Sequence, residues 1–399
     1  MNHKSLYLTT LAAFVASSTF AAPALQFGDG IQLHVLGAVE YTFDDNIFRQ
    51  SDGDEDSAHS LAFTPGVELR FMERGAASAK VSYRHTFETY TDHDQLDNDY
   101  ADLRGQAQYD SGVLMVKGHG SFRQRASNRF DNPDIPGLQG DLVERDEIKA
   151  GADVRYEISE LLAASSSVLY EDKDYEDRGL TDFQSYSIPL MLIYKFQPKL
   201  ELNAGVQYRI TNTDNSTQLF DFDYDDLYYF VGAVGELFTP VLYGDVSVGF
   251  LERDFKDMPL EASSTSYDAT ITYVGDVKTT VYLTLSRDYR NSAFQGSNYV
   301  LTQLALGARY SLTDFIGFNA SVSTGDLDYD KYFNPATGQV EENPRSQDMM
   351  TYSIGTSYRP NDYLTVTARY VHNDVDGNDL GGAREYANSQ FRVSASVRY

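Results

Sequence analysis

Apolar and polar side chains alternate along the last ten residues of the chain, 390–399. Phe391, Val393, Ala395, Val397 and Tyr399 occupy every second position, and the positions between them carry only Gln, Arg or Ser. Successive side chains of a β-strand point to opposite faces of its sheet. This segment therefore predicts a strand with one apolar face and one polar, charged face.

The same period of two recurs from Ile31 to the end of the chain, and helical periodicity competes nowhere. We predict 18 strands, and one merged or missed pair of strands would change that count to 16 or 20. The predicted strands are 31–43, 60–72, 77–90, 98–109, 112–124, 146–157, 161–171, 183–196, 199–211, 226–236, 241–253, 266–274, 277–288, 299–311, 314–324, 349–359, 362–373 and 386–399.

The predicted connections alternate in length. Short ones, such as Asp110–Ser111 and Leu312–Thr313, are followed by longer acidic segments, such as 125–145, 325–348 and 374–385. Short periplasmic turns and long extracellular loops are typical of transmembrane β-barrels. Because an even number of strands brings both ends of the chain to one side, we expect both termini on the short-turn, periplasmic side.

A soluble β-sandwich also alternates, so strand length and chemistry must separate the two architectures. The predicted strands match the roughly 9 to 11 tilted residues that cross a bilayer, whereas strands of globular sheets usually have about 5 to 6. Tyr and Phe cluster at strand ends, where the aromatic girdles of membrane barrels lie. The aromatic carboxyl terminus resembles the closing strand that the barrel-assembly machinery recognises. We therefore predict an all-β, up-and-down antiparallel transmembrane barrel over residues 31–399.

The amino terminus predicts export. Lys4 precedes an apolar run that is too short to span a bilayer as a helix, and small residues at Thr19 and Ala21 suit signal-peptide cleavage. We expect a signal peptide over residues 1–21, a short periplasmic lead over 22–30, and a mature protein in the outer membrane of a Gram-negative bacterium. The chain has 399 residues, no Cys and a formal charge of −27. This composition excludes a disulfide framework and argues against nucleic acid as a partner.

Charged residues inside the predicted strands fall on the polar face, which would line a wet lumen. The apolar face is poor in charge, with His85 and Arg287 as exceptions. The predicted lumen-lining residues are Lys80, Arg84, Glu88, Asp102, Arg104, Lys149, Asp153, Arg155, Glu201, Arg209, Arg309, Arg369 and Arg392. Inward-facing Tyr side chains, such as Tyr90, Tyr228 and Tyr282, would add aromatic faces on which sugars can stack; the alternative is that these tyrosines anchor the barrel at the membrane interface.

Three stretches near the start of the predicted barrel resemble a known family. They read VEYTFDDNIFR, LAFTPGVELRF and VSYRHTFETYTDHDQLDNDYADLRGQAQYD. The chain resembles the putative beta-barrel porin 2 family, most closely over residues 35–110. The matching motif positions are Tyr41, Asp44, Asp45 and Asn46, then Thr64, Pro65 and Gly66, and then Tyr83 and Tyr90.

The resemblance implies an outer-membrane barrel associated with exopolysaccharide synthesis and export. It adds periplasmic polysaccharide-export components to the expected partners, which otherwise are outer-membrane lipid, lipopolysaccharide and, through Tyr399, the barrel-assembly machinery. We therefore expect a porin-like conduit for exopolysaccharide or small polar solutes. The alternatives are a structural or adhesive barrel whose lumen is occluded by loops 125–145 and 325–348, and a barrel enzyme.

Candidate chemistry is sparse. His119 and Ser121 could suggest an outer-membrane phospholipase, and His93 or His372 beside Asp residues a protease, but no convincing nucleophile–base set accompanies them. We expect no enzyme activity and no cofactor. Alternating acids can supply oxygen ligands for a loop-bound divalent cation, although the EF-hand spacing is missing. The candidate ligands are Asp221, Asp223, Asp225, Asp326, Asp328 and Asp330.

Overall fold

A computed structural model describes most of the chain. The described residues are 23–28, 30–72, 75–128, 142–176, 180–214, 222–256, 261–291, 298–334, 339–341, 346–379 and 382–399. The predicted signal peptide and the centre of the predicted loop 125–145 lie outside the described residues.

The chain forms a closed antiparallel barrel of 18 strands. Each of the 18 barrel strands pairs with the barrel strands before and after it in the sequence, and the first pairs with the last. Three further short strands, one before the barrel and two that form a hairpin in a loop, bring the total to 21. The strands are β1 Leu25–Phe27, β2 Ile31–Asp44, β3 Ala58–Phe71, β4 Ala77–Tyr90, β5 Asn98–Asp110, β6 Leu114–Asn128, β7 Leu142–Glu157, β8 Leu162–Tyr175, β9 Asp182–Gln197, β10 Leu200–Asp214, β11 Tyr224–Glu236, β12 Leu242–Phe255, β13 Glu261–Val274, β14 Thr279–Asn291, β15 Asn298–Ser311, β16 Ile316–Tyr329, β17 Tyr332–Asn334, β18 Gln339–Glu341, β19 Ser346–Tyr358, β20 Leu364–Asp379 and β21 Gly382–Arg398.

The barrel closes where β2 pairs with β21. Their register runs from Leu36 opposite Arg398 to Asp44 opposite Gln390. The terminal residue, Tyr399, completes this ladder by exchanging two backbone hydrogen bonds with Val35, at 2.7 and 2.9 Å. The short β1 pairs with the first residues of β2 on the same edge, beyond the end of β21. All of the β2 edge is therefore covered, which a sheet in hydrocarbon requires.

A band of large apolar side chains covers the outer face. On β9 it consists of alternate residues from Tyr186 to Phe196, each about half exposed to the surroundings of the barrel. The registers place equivalent side chains level with it on neighbouring strands, as Leu192 opposite Ala204 and Tyr194 opposite Leu202. Such a band, with Tyr at its borders, matches the surface that transmembrane barrels present to lipid.

The alternation reverses at the end of the barrel that carries the long loops. On β16 the outward positions change from Phe318 and Val322 to Asp326 and Asp328, whereas the inward Leu327 is fully buried. On β20 the outward positions end in Asp374 and Asp376, and the inward Val375 is buried. Outward acids cannot contact acyl chains, so the strands continue past the hydrocarbon into water at this end.

All 18 predicted barrel strands are present, but many extend further at the loop end than predicted. The predicted loop 374–385 is mostly strand, with β20 reaching Asp379 and β21 starting at Gly382. The reversed alternation explains this error, since acids at outward positions read as loop. β1 and the hairpin of β17 and β18 were also missed.

The only helical element in the described part of the chain is one 3-10 turn, Asp94–Leu96. Among the described residues there is no helix of the length and apolarity that a membrane span needs.

The apolar band predicts unequal tolerance for charge at adjacent positions. Leu190 points outward from the middle of β9, and Met191 points inward. We expect Leu190→Arg to destabilise the refolded barrel by about 2–4 kcal/mol, the cost of an arginine at the bilayer midplane. Met191→Arg should cost much less, because its guanidinium reaches the lumen. Denaturant unfolding in lipid vesicles measures both, and equal costs for the two variants would contradict the assigned faces.

Candidate functional site

The concave face of the sheet is identified by contacts that skip strands. Arg155 on β7 forms two hydrogen bonds with Glu201 on β10, at 2.6 and 3.0 Å, across β8 and β9. Glu68 on β3 likewise contacts Arg398 on β21, across β2, at 3.2 Å. Only the inside of a curved sheet brings side chains of non-adjacent strands this close, so these residues point into the lumen.

The ladder registers place all the predicted lumen residues on this inner face. Arg84 lies opposite Asp102, Lys149 opposite Glu171, Arg155 opposite Ser165, and Arg369 opposite Arg392. The complete set with inward parity is Lys80, Arg84, Glu88, Asp102, Arg104, Lys149, Asp153, Arg155, Glu201, Arg209, Arg309, Arg369 and Arg392.

Many of the lumen charges neutralise one another. The buried Glu68 accepts from Arg70 at 2.7 Å and Lys80 at 2.9 Å. Further along the wall, Arg155 and Lys195 share Glu157, at 2.9 and 2.6 Å. These ion pairs stabilise the wall. Glu68 carries one negative charge against the three cations Arg70, Lys80 and Arg398, so this group still leaves a net positive charge in the lumen.

A second group of cations has no such partner. Within the described part of the chain, no carboxylate lies at ion-pair distance from Arg84, Arg309, Arg369 or Arg392, and all four are exposed to solvent. Arg369 and Arg392 lie directly opposite each other on β20 and β21. Among the described residues, their side chains donate to neutral groups, the hydroxyl of Ser353 at 3.2 Å for Arg369 and the amide oxygen of Gln390 at 2.6 Å for Arg392.

Like charges directly opposite on adjacent strands destabilise a sheet. The Arg369–Arg392 pair therefore destabilises the sheet, and it gives the lumen a positive potential. These exposed, unpaired arginines are the feature of the barrel that is best suited to act on a passing solute.

The Thr64-Pro65-Gly66 motif positions one of these arginines. The ladder between β3 and β4 is interrupted at Thr64 and Pro65, because proline has no N–H to donate. At the next residue, the side chain of Arg84 lies against Gly66, where an added Cβ would come within 2.9 Å of Arg84 Cγ and 2.7 Å of the Tyr83 carbonyl oxygen. Glycine thus leaves the room that the arginine side chain needs.

The earlier motif, Asp44-Asp45-Asn46, is part of the barrel seam. Asp44 and Arg49 form a buried ion pair of 2.9 Å. Asn46 donates to the carbonyl oxygen of Ala387 at 3.0 Å, and Asp45 accepts from the backbone N–H of Ser389 at 2.6 Å. Since Ala387 and Ser389 belong to β21, the turn after the first barrel strand is fastened to the last one. Tyr41 lies outside, with its hydroxyl 2.7 Å from His59 Nδ1.

Among the described residues the predicted metal ligands do not form one site, although Asp326 and Asp328 lie close enough on the outer face of β16 for their side chains to interact. Asp221 lies outside the described residues. Asp223 accepts from the backbone N–H of Thr213 at 2.8 Å, and Asp225 points outward to the hydroxyl of Tyr208 at 2.8 Å. Asp326 and Asp328 lie on strand β16 and not on a loop as predicted, and Asp330 accepts from the hydroxyl of Tyr289 at 3.0 Å.

In the part of the chain that the structure covers, no group of three or more His, Asp or Glu could hold a metal ion.

The candidate catalytic residues are also dispersed. His119 points into the lumen, 3.5 Å from Asp153, and His93 lies 3.5 Å from Asp56 in a loop. His372 points outward, with Nδ1 3.1 Å from the hydroxyl of Ser389. Sequence reasoning missed this last pair because the two residues lie on different strands. The other partners of a hydrolytic site, an acid orienting His372 and donors for an oxyanion, are not seen around it among the described residues.

A family model described as Putative beta-barrel porin 2 matches residues 37–399. This chain belongs to that family. Family membership confirms the resemblance seen in the sequence and accords with a porin-like barrel of the Gram-negative outer membrane. Among curated proteins, none matches the chain.

Several solved structures share the fold at low identity. OpdK of Pseudomonas aeruginosa, solved with vanillate, is 11% identical, with a TM-score of 0.51 over 92% of this chain and 99% of its own. OccK2 (OpdF) of the same organism, in complex with glucuronate, is 10% identical, with a TM-score of 0.51 over 94% and 100%.

The FrpB iron transporter of Neisseria meningitidis is 10% identical, with a TM-score of 0.50 over 94% of this chain and 82% of its own. At these identities the likeness concerns the fold alone.

The close contact at Gly66 predicts a position-specific effect of one added methyl group. We expect Gly66→Ala to destabilise the barrel by about 1–3 kcal/mol, as overpacking does, and to displace Arg84. Gly105→Ala on β5 is the matched control, since a Cβ there meets nothing within 4 Å. Denaturant unfolding of the refolded barrels measures both. An unchanged stability of Gly66→Ala would show that the neighbouring strand can move aside.

Proposed function

We propose that this barrel is a passive outer-membrane conduit for polar solutes, with a preference for anions. The observation that carries the proposal is the set of exposed lumen arginines without carboxylate partners, above all the opposed pair Arg369 and Arg392. Fixed charges in a pore tune its ion selectivity. A wall that keeps two arginines side by side despite their repulsion accords with selection for a field that attracts anions.

The charge distribution along the lumen supports this preference. The inward acids without an ion-pair partner among the described residues include Glu40 on β2 and Glu88 on β4 as well as Asp245 on β12 and Asp268 on β13. The free arginines Arg84, Arg369 and Arg392 lie on β4, β20 and β21, in the part of the wall that contains the seam. Glu40 and Glu88 lie in the same part of the wall, so its positive potential comes chiefly from the opposed pair Arg369 and Arg392.

The ligands in two of the similar barrels agree with an anionic solute but do not establish one. Vanillate and glucuronate, named for OpdK and OccK2, both carry a carboxylate. Exopolysaccharide as the transported polymer, and periplasmic export components as partners, stay predictions of the family resemblance.

A second candidate is a structural barrel whose lumen is occluded at the loop end. Inward apolar side chains do pack there in local clusters, such as Tyr299 and Leu301 with Leu327 and Tyr329. These clusters join strands that are neighbours in the sheet, which also suits a rim that stiffens an open mouth. Conductance of the refolded protein separates the two candidates.

The anion preference predicts a reversal potential. In a planar bilayer with a KCl gradient, the refolded barrel should conduct and favour Cl⁻ over K⁺. The triple variant Arg84→Gln, Arg369→Gln and Arg392→Gln should lower the permeability ratio by roughly threefold, because wall charges produce potentials of the order of the thermal energy. The effect should shrink near 1 M salt, where the Debye length falls to about 3 Å.

The matched control is Arg287→Gln, which removes an outward-facing charge. This variant should keep the ratio of the unmodified barrel. A protein that inserts but carries no current would refute the conduit. A current with cation preference would refute the assigned role of the arginines.

A further inference from the structure

Three aromatic rings lie flat on one side of the lumen wall, each over a glycine of an adjacent strand. A Cβ on any of these glycines would collide with the ring above it. The three pairs are Phe230 over Gly205, Tyr228 over Gly249 and Tyr282 over Gly307. Because glycine has no side chain, each ring can rest one face on the backbone and turn the other towards the lumen.

Two of the rings are neighbours and nearly parallel. Tyr228 and Phe230 are alternate residues of β11, with ring centroids 5.4 Å apart and planes inclined by only 18°. Both side chains are half-buried, as expected of rings with one covered and one open face. Together they give an aromatic surface on a largely polar wall.

The third ring lies at a different depth. From Tyr282 on β14, the registers lead through Thr272 and Tyr243 to Glu236, which is eight residues along β11 from Tyr228. At about 3.3 Å per residue, this offset is roughly 26 Å along the strand direction. Arg309, one of the unpaired lumen arginines, has its guanidinium carbon 5.9 Å from the centre of the Tyr282 ring. The two aromatic surfaces thus lie at separate levels of the lumen.

The wall between them is lined by small hydrogen-bonding groups. The inward residues of β12 and β13 there include Ser247, Asp268 and Thr270, with Ser286 opposite Asp268 on β14. Hydroxyl groups donate and accept, and carboxylates accept. An aromatic surface such as that of Tyr228 and Phe230, bordered by hydrogen-bonding groups, matches a pyranose ring, which has a face of C–H bonds and a rim of hydroxyls.

We propose that this wall, from β10 to β15, is a saccharide-binding path on which sugar rings stack first on one aromatic surface and then on the other. The inference rests on the proposed conduit function and names its substrate class. Two separate levels suit an oligosaccharide that advances through the lumen in steps. The rings also pack against the glycines and thereby stabilise the sheet, so the test must measure sugar binding and not stability alone.

The experiment is current block of the refolded barrel in a planar bilayer by maltohexaose, a linear neutral gluco-oligosaccharide. We expect transient, concentration-dependent blocks. Polyethylene glycol of the same hydrodynamic size, which has no flat ring, should not produce them. Tyr228→Ala and Tyr282→Ala should each shorten the blocks by about threefold to tenfold, the loss of one aromatic stacking contact. Tyr282→Phe, which keeps the ring, should retain them.

The matched controls are Tyr229→Ala and Leu283→Ala, which remove the outward-facing neighbours of the two tyrosines. Both controls should leave the blocks unchanged. A barrel that conducts ions but is blocked no better by maltohexaose than by polyethylene glycol would overturn the saccharide path and leave the conduit intact. The absence of any ion current would instead overturn the conduit itself. Equal block times in all conducting variants would likewise refute the role of the rings.

Discussion

A polypeptide that crosses a bilayer as strands must pair every backbone N–H and C=O within the sheet, because hydrocarbon offers no partner. For this chain, the requirement is met only if β2 and β21, almost the full length of the sequence apart, find each other. Several contacts stabilise the junction between these two strands. Tyr399 completes the ladder with Val35, and β1 covers the remaining edge of β2. At the other end of the seam, Asn46 and Asp45 bind the backbone of β21.

Closure determines everything that follows inside the barrel. Once the sheet is closed, its two faces meet different solvents, and the polar face must be satisfied in the lumen. Ion pairs such as those of Glu68 and Glu157 do this for most charges. The unpaired arginines and the aromatic rings over glycines are the lumen side chains that these ion pairs leave out, and neither group is needed to close a sheet. For that reason we assign function to them.

The period of two was enough to predict the fold, because each face of a membrane barrel strand meets one solvent for most of its length. The same pattern failed where the medium outside the barrel changes from lipid to water, as at Asp326 on β16 and Asp374 on β20. There acids take the place of apolar residues at outward positions. The faces of the lumen residues also follow from parity. Contacts across the seam could not be predicted, because Asn46 and Ala387 are neighbours only after closure. The motif Pro65-Gly66 was visible in the sequence, but its role in seating Arg84 depends on the neighbouring strand.

The central claim is that outward side chains contact lipid while inward ones contact water, and spin labels at single cysteines test it most directly. The chain has no cysteine of its own, so each label reports one position. On β10 in lipid vesicles, labels at Ala204, Val206 and Tyr208 should collide with dissolved oxygen, as lipid-facing sites do. Labels at Asn203, Gln207 and Arg209 should collide instead with a water-soluble nickel chelate. A pattern without this period of two, or one with the two sets exchanged, would contradict the account.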